Sequence, residues 1–244
     1  MSKRHLHAGS YLNDLTIAYH LKTALLITKS DIKTTILPAT TFAASAIFSR
    51  AICTEPTPAI EIVFFRPLKA IIWSVANLWI FNLSNQRLPS SVLEDSVNKP
   101  WRAIPSGRLT SEEARIPAVF LLALYLGGRN ESLFLIVLTW LYNNLGAAEE
   151  FPLIRNLNNA LGFISFGAGA GTTTYYWLAL IAVVITSTIQ FQDMEDQEGD
   201  RIRLRRTLPI MFGDSVARRI NAVTICRLFV HNTSFLAGQF NWSM

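Results

Sequence analysis

Charge is scarce in this sequence. Only 16% of its 244 residues are Asp, Glu, Lys or Arg, against about a quarter in an ordinary soluble domain. The shortage is local. No charged residue falls within 34–49, 70–86, 116–128 or 132–148, and none lies between Arg155 and Asp193. Such gaps argue against a soluble helical protein, whose helices usually keep a polar face. Cysteine is nearly absent, and Cys53 and Cys226 form no motif. The four histidines are scattered and show no metal-ligand spacing. The first residues lack the layout of a signal peptide. No internal repeat or low-complexity tract is present.

What is there is hydrocarbon. Half of the residues are hydrophobic and the mean hydropathy is +0.29. A bilayer-spanning helix needs about 20 mostly apolar residues. Extended into their polar flanks, the charge-free gaps predict six spans, at 34–52, 67–86, 114–129, 131–149, 156–172 and 174–192, the third being the shortest. Gly167, Gly169, Gly171 and the Thr172–Thr174 run divide the last gap into two helices. The expected fold class is therefore all-α, a polytopic transmembrane helix bundle. Residues 1–33 read as a cytosolic arm and 34–220 as the transmembrane domain. Residues 221–244 read as an atypical tail, because "INAVTICRLFV" is broken by Arg227 and the rest is polar.

Six spans put the N-terminal arm, the loop 85–110 and the stretch after Gln192 on one face. Most of the Lys and Arg residues fall there, while Arg50 and Arg129 fall on the other side. The positive-inside rule makes the rich face cytosolic. The net charge of +5 is thus a membrane feature and does not point to nucleic acid. The expectation is an integral, multi-pass protein of the lipid bilayer.

Two stretches on that face carry chemistry. The later one is "DMEDQEGDRIRLRRTLP", Asp193–Pro209. Asp193, Asp196 and Asp200 have the spacing i, i+3, i+7, which predicts one face of a helix. Clustered carboxylates repel unless a cation joins them. Hard oxygen ligands suit Mg2+, which is commonly shared between one or two carboxylates and substrate phosphates. Arg201, Arg205 and Arg206 follow at once, and guanidinium forks pair well with phosphate oxygens. The earlier stretch is "NQRLPSSVLEDSVNKPWRAIPSGRLT", Asn85–Thr110. Asn85 and Gln86 can orient a metal or its water, Glu94 and Asp95 can ligate a second ion, and Lys99, Arg102 and Arg108 supply positive charge. Pro100, Pro105 and Gly107 shape the turn.

The spacing Asp193-x-x-Asp196-x-x-x-Asp200, followed by "GDR" and "RRTLP", resembles the second aspartate-rich motif of the UbiA superfamily of intramembrane prenyltransferases. "NKPWRAIPSGRLT" resembles the segment behind that family's first motif, with Ala103 in place of a proline. "TKSDIKTTILPAT" and "LTWLYNNLGAAEEFPLIRNLNNALGF" are more like its fungal branch, which includes membrane terpene cyclases. The first motif departs from the pattern. Asn85 falls on its Asn, but Gln86, Pro89 and Leu93 fall where aspartates belong, and Glu94 and Asp95 supply carboxylate in another register. The resemblance implies nine spans, three of them after the second motif, where only residues 214–244 remain. The expectation is a bundle of about six spans lacking the last three.

Residues and resemblance together nominate Asn85, Lys99, Arg102, Asp193 and Asp196 for catalysis. Gln86, Arg108, Asn144, Arg201, Arg205 and Arg206 are nominated for substrate binding, and Glu94, Asp95, Asp193, Asp196 and Asp200 for metal. The implied cofactor is Mg2+ and the implied substrate an isoprenoid diphosphate. The expected activity is prenyl transfer to an aromatic or polyketide acceptor in secondary metabolism. Cyclisation of the diphosphate without acceptor is the alternative, and an inactive truncated membrane protein is a third reading. A transporter is disfavoured because the charges sit at the ends of the spans. An allylic cation would need aromatic walls, for which Trp73, Trp79, Phe81, Tyr142, Phe163, Phe166, Tyr176 and Trp177 are candidates. Asn143 and Asn144 are candidates to line the cavity or to bond helix to helix.

Overall fold

The computed structural model describes residues 3–48, 60–115, 117–126, 128–169 and 175–239. Helices account for all the regular structure among them. α1 (Lys3–Thr28) runs through a 3-10 turn (Lys29–Asp31) and a π-helical turn (Ile32–Ile36) into α2 (Leu37–Phe48). Then come α3 (Ile60–Gln86), α4 (Pro89–Asn98), α5 (Pro117–Tyr125), α6 (Arg129–Asn144), α7 (Pro152–Gly169) and α8 (Tyr175–Thr188). A 3-10 helix (Ile189–Met194), α9 (Gln197–Ile202), α10 (Leu208–Phe212) and α11 (Asp214–Gln239) complete the chain. Pro89 and Pro152 each occupy a helix start, where proline's fixed φ fits and no amide hydrogen is missed.

Each of the six apolar stretches is helical, but the helices differ from the expected spans in length. Val63–Gln86 is the one helix among the described residues that is long and apolar enough to cross a membrane. α5 has nine residues, about 14 Å at the usual rise, half of a typical hydrocarbon core. Gly171 and the Thr172–Thr174 run lie outside the described residues. Asp214–Gln239 is one continuous helix of 26 residues, and the first glycine after Gly213 is Gly238.

α3 is the central element, packing against α1, α2, α5 and α6, while α7 pairs with α6 and α8. The contacts use small residues. Ala39, Ala70, Ala76, Ala123 and Ala160 are all buried, which lets backbones approach closely. Trp73 on α3 is the large anchor. It packs edge-on against Phe166 of α7 at 5.8 Å between centroids, and its Nε1 donates to Ser132 Oγ of α6 at 2.9 Å. A Cβ at Gly169 would lie 2.1 Å from Trp73 Cη2, so only glycine fits beside this ring.

Polarity runs inside out. Ser74, Asn77, Asn82, Asn85, Arg155, Asn156 and Gln190 are buried, whereas Phe64, Phe65, Leu121, Tyr125 and Trp140 are exposed. α1 packs on α3.

Candidate active site

The two loops nominated from sequence meet. α4 lies against α9, and the side chain of Asn98 joins them. Its Nδ2 donates to Asp196 O at 3.0 Å and its Oδ1 accepts from Gly199 N at 3.1 Å. A Cβ on Gly199 would sit 2.3 Å from Asn98 Nδ2, so glycine is what allows this approach.

One cavity opens between the loops and the helices. Asn85, Glu94, Lys99, Arg102, Asp193, Asp196, Asp200 and Arg205 all line it. Leu78, Phe81, Leu135, Leu138, Tyr142, Phe163 and Phe166 line it as well. Four of the eight candidate aromatics are therefore cavity walls. Trp73 and Trp79 pack in apolar clusters instead, and the side chains of Tyr176 and Trp177 lie outside the described residues.

The aspartates reach the cavity differently from the helical expectation. Asp193 belongs to the 3-10 helix, Asp196 is the N-cap of α9, and Asp200 is inside α9. The chain turns between the two elements, so no single helix face carries the three. Each is paired with a cation from another part of the chain or a neighbouring turn. Arg155 donates to Asp193 Oδ2. Lys99 Nζ donates to Asp196 Oδ2 at 2.9 Å. Arg205 Nη1 donates to Asp200 Oδ1 at 3.0 Å and to Glu94 Oε1 at 2.9 Å. Arg203 Nη1 donates to the other Glu94 oxygen at 3.0 Å and to Ser91 Oγ at 2.7 Å, and its Nε donates to Glu149 Oε1 at 2.7 Å.

Among the described residues no three His, Cys, Asp or Glu side chains converge as a ready metal cage. The nominated ligands are dispersed among ion pairs, and Asp95 is withdrawn altogether. Both of its oxygens accept from Arg102 Nη1 at 2.8 Å, and it does not line the cavity. The electrostatics nevertheless suit a cation. Five carboxylates and four cationic groups line the cavity. Burial pushes Asp193 up to about 6 despite Arg155. It raises Asp200 as well, against the pull of Arg205. Asp200 Oδ2 is buried with no hydrogen-bond partner. Hard oxygen donors, one of them unsatisfied, fit Mg2+ shared with a phosphate. The Nε–H groups of Arg102 and Arg205 are buried without partners too, donors suited to an anion.

Other nominated residues stand apart from the cavity. Gln86 is fully buried and donates to Ile27 O at 3.2 Å. Arg108 lies over the Tyr19 ring and donates to Thr23 Oγ1 at 3.3 Å. Arg201 and Arg206 are exposed. Asn144 is exposed at the end of α6, whereas Asn143 accepts from Asn85 Nδ2 at 2.7 Å and ties α6 to α3. Conversely, Asp31, Asn77, Asn82, Arg155 and Asn156 line the cavity without having been nominated. Ser74, Asn77, Asn82 and Asn85 share one face of α3, a polar stripe inside an apolar run that is visible in the sequence. Arg203, buried among three partners, carried no such signal.

Residues 68–244 match the UbiA prenyltransferase family. A fumagillin beta-trans-bergamotene synthase of Aspergillus fumigatus is 30% identical over 223 residues, covering 85% of this chain and 72% of that protein. A diterpene cyclase of Hericium erinaceus is 29% identical over 204 residues, covering 78% of this chain and 63% of that protein. A solved structure described as concerning digeranylgeranylglyceryl phosphate synthase in membranes superposes with a TM-score of 0.55 over 87% of this chain and 78% of its own. At 18% identity that likeness speaks to the fold.

Proposed function

We propose that this chain, which belongs to the UbiA prenyltransferase family and is an enzyme of that type, ionises an isoprenoid diphosphate in the cavity between α4, α9 and α3. It passes the prenyl group to an aromatic or polyketide acceptor. The observation that carries this is the lining of the cavity. It brings unsatisfied carboxylate and guanidinium groups together with aromatic and aliphatic walls. A diphosphate on a hydrocarbon chain needs both.

In this reading Asp193, Asp196 and Asp200, with Glu94 beside them, hold Mg2+ at the charged end. When bound, the ion neutralises charge on the departing diphosphate as the C–O bond breaks. Lys99, Arg102 and Arg205 face the phosphate oxygens, and each must loosen its present carboxylate pair to do so. Asn85, held by Asn143, orients the same end. Phe81, Tyr142, Phe163 and Phe166 present π faces to the allylic cation, worth about 0.5–2 kcal/mol each. The helices cross the bilayer several times with both loops on the cytosolic face, and the product belongs to terpenoid or meroterpenoid metabolism.

A second reading is cyclisation without acceptor. It is favoured by the likeness to a bergamotene synthase and a diterpene cyclase. Membranes containing the protein, given a radiolabelled isoprenoid diphosphate alone, separate the two. Volatile hydrocarbon marks the cyclase, and acceptor-dependent product marks the transferase. No consumption of the diphosphate under either condition refutes both.

A further inference from the structure

Five carboxylates line the cavity: Asp31, Glu94, Asp193, Asp196 and Asp200. Four of them are ion-paired, to Arg203 and Arg205, Arg155, Lys99 and Arg205 respectively. Asp31 alone has no cation at salt-bridge distance among the described residues. Its partner is an amide: Asn82 Nδ2 donates to Asp31 Oδ2 at 2.8 Å.

The partner also sets its depth. Asn82 precedes Asn85 by three residues on α3, about 4.5 Å along the axis, on the way from the charged end to Leu78 and Phe81. Asp31 therefore lines the cavity within about one helical turn of Asn85, the place that the proposed function gives to the first carbons of a bound prenyl chain. The backbone there is unusual. Asp31 closes a 3-10 turn and a π-helical turn follows, a geometry frequent at functional sites. Burial raises its pKa above the ordinary carboxylate range, with Asn82, Arg102 and Lys99 pulling it back.

Transfer and cyclisation share one need. Heterolysis of the C–O bond sends its electron pair away with the diphosphate. The new C–C bond takes a π pair, from the acceptor or from the chain's own alkene, and leaves a second cationic carbon. A C–H bond beside that carbon must then break. Its electrons form the new C=C bond, and one proton must be taken up. Building on the function proposed above, we propose that Asp31 is the catalytic proton acceptor that ends the reaction. The four paired carboxylates are committed to cations, to Mg2+ or to both, and Asp31 is not.

The test compares wild type with Asp31→Asn and Asp31→Glu in the full chain. The probes are a radiolabelled isoprenoid diphosphate and its non-ionising thiolo analogue. The Asn variant keeps an oxygen for Asn82. It should bind the analogue within twofold of wild type, since the diphosphate contacts are untouched. Formation of deprotonated product should fall by about 10²-fold or more, the usual share of a general base. Diphosphate release should continue with the cation captured by water as prenyl alcohol, and the Glu variant should recover part of the lost product. Wild-type product rates and ratios in Asp31→Asn would overturn the proposal. So would equal loss of analogue binding in both variants, which would make Asp31 a binding or folding residue. Absence of diphosphate release in wild type overturns the proposed function itself, and this inference with it, before any variant is read.

Discussion

Asp193 shows how one residue serves opposite demands. It is buried beside Arg155, and burial outweighs the guanidinium, so its pKa rises to about 6. A folded-state pKa above the unfolded value near 3.9 means that the empty protein holds the proton longer than the unfolded chain does. Between roughly pH 4 and 6, this group's contribution to stability is therefore present at the acid end and lost as pH rises. Metal has the reverse preference, because it needs the ionised carboxylate. Mg2+ should then stabilise the protein more at pH 7 than at pH 5. Its apparent affinity in the presence of a diphosphate analogue should fall by about tenfold per pH unit below 6. Calorimetric titrations at pH 5, 6, 7 and 8 measure this. A flat Mg2+ affinity across that range would remove Asp193 from the ligand set.

At the scale of elements, α3, α6 and α7 are locked through Trp73. Its Nε1 is held by Ser132, its ring meets Phe166 in a T-shaped contact, and its benzo edge abuts Gly169. Because the ring is fixed on three sides, it cannot retreat from a new methyl group. Gly169→Ala should therefore destabilise the protein by about 1–3 kcal/mol, the range of core overpacking. A companion Trp73→Phe change opens that space. The double variant should lose less than the sum of the two single losses, measured as thermal unfolding in detergent. Simple additivity would mean that the contact does not limit packing. The glycine itself is readable in the sequence, as one of the run Gly167, Gly169 and Gly171. Its contact with a tryptophan almost a hundred positions earlier was not, since sequence spacing says nothing about which helices become neighbours. The same limit explains the aspartates. Their i, i+3, i+7 spacing fits a helix face, but the chain turns after Met194, and tertiary pairing with Lys99, Arg155 and Arg205 places the three carboxylates instead.

Across the whole molecule, the legible features were those set by residue type over long stretches. The charge-free gaps became helices, and the two polar loops came together. Asp31 reads in sequence as part of the mixed-charge run Lys29–Lys33 and Arg155 as a lone charge at a span boundary, and only folding brings both to the cavity. Arg203 was overlooked because its neighbours Arg201, Arg205 and Arg206 are equally basic, and burial alone distinguishes it. Single cysteines at Ser106 and Gln197 should both react with an impermeant thiol reagent applied from the cytosolic side, and one at Asn130 should not. Opposite labelling of the first two would separate the loops across the bilayer and dismantle the common site.

The central claim is that the carboxylates and cations of these two loops ionise an isoprenoid diphosphate through Mg2+. Release of inorganic diphosphate from a prenyl diphosphate by the purified protein tests it most directly, read for wild type and for Asp200→Asn. Asp200 Oδ2 is a buried carboxylate oxygen without a partner, while the substituted amide can still accept from Arg205, so the fold is retained. The account predicts Mg2+-dependent release in wild type, abolished by EDTA and reduced by at least about 10²-fold in the Asn variant, the scale of losing an electrostatic group at the reacting centre. Equal release by the two proteins, or undiminished release in EDTA, would contradict it.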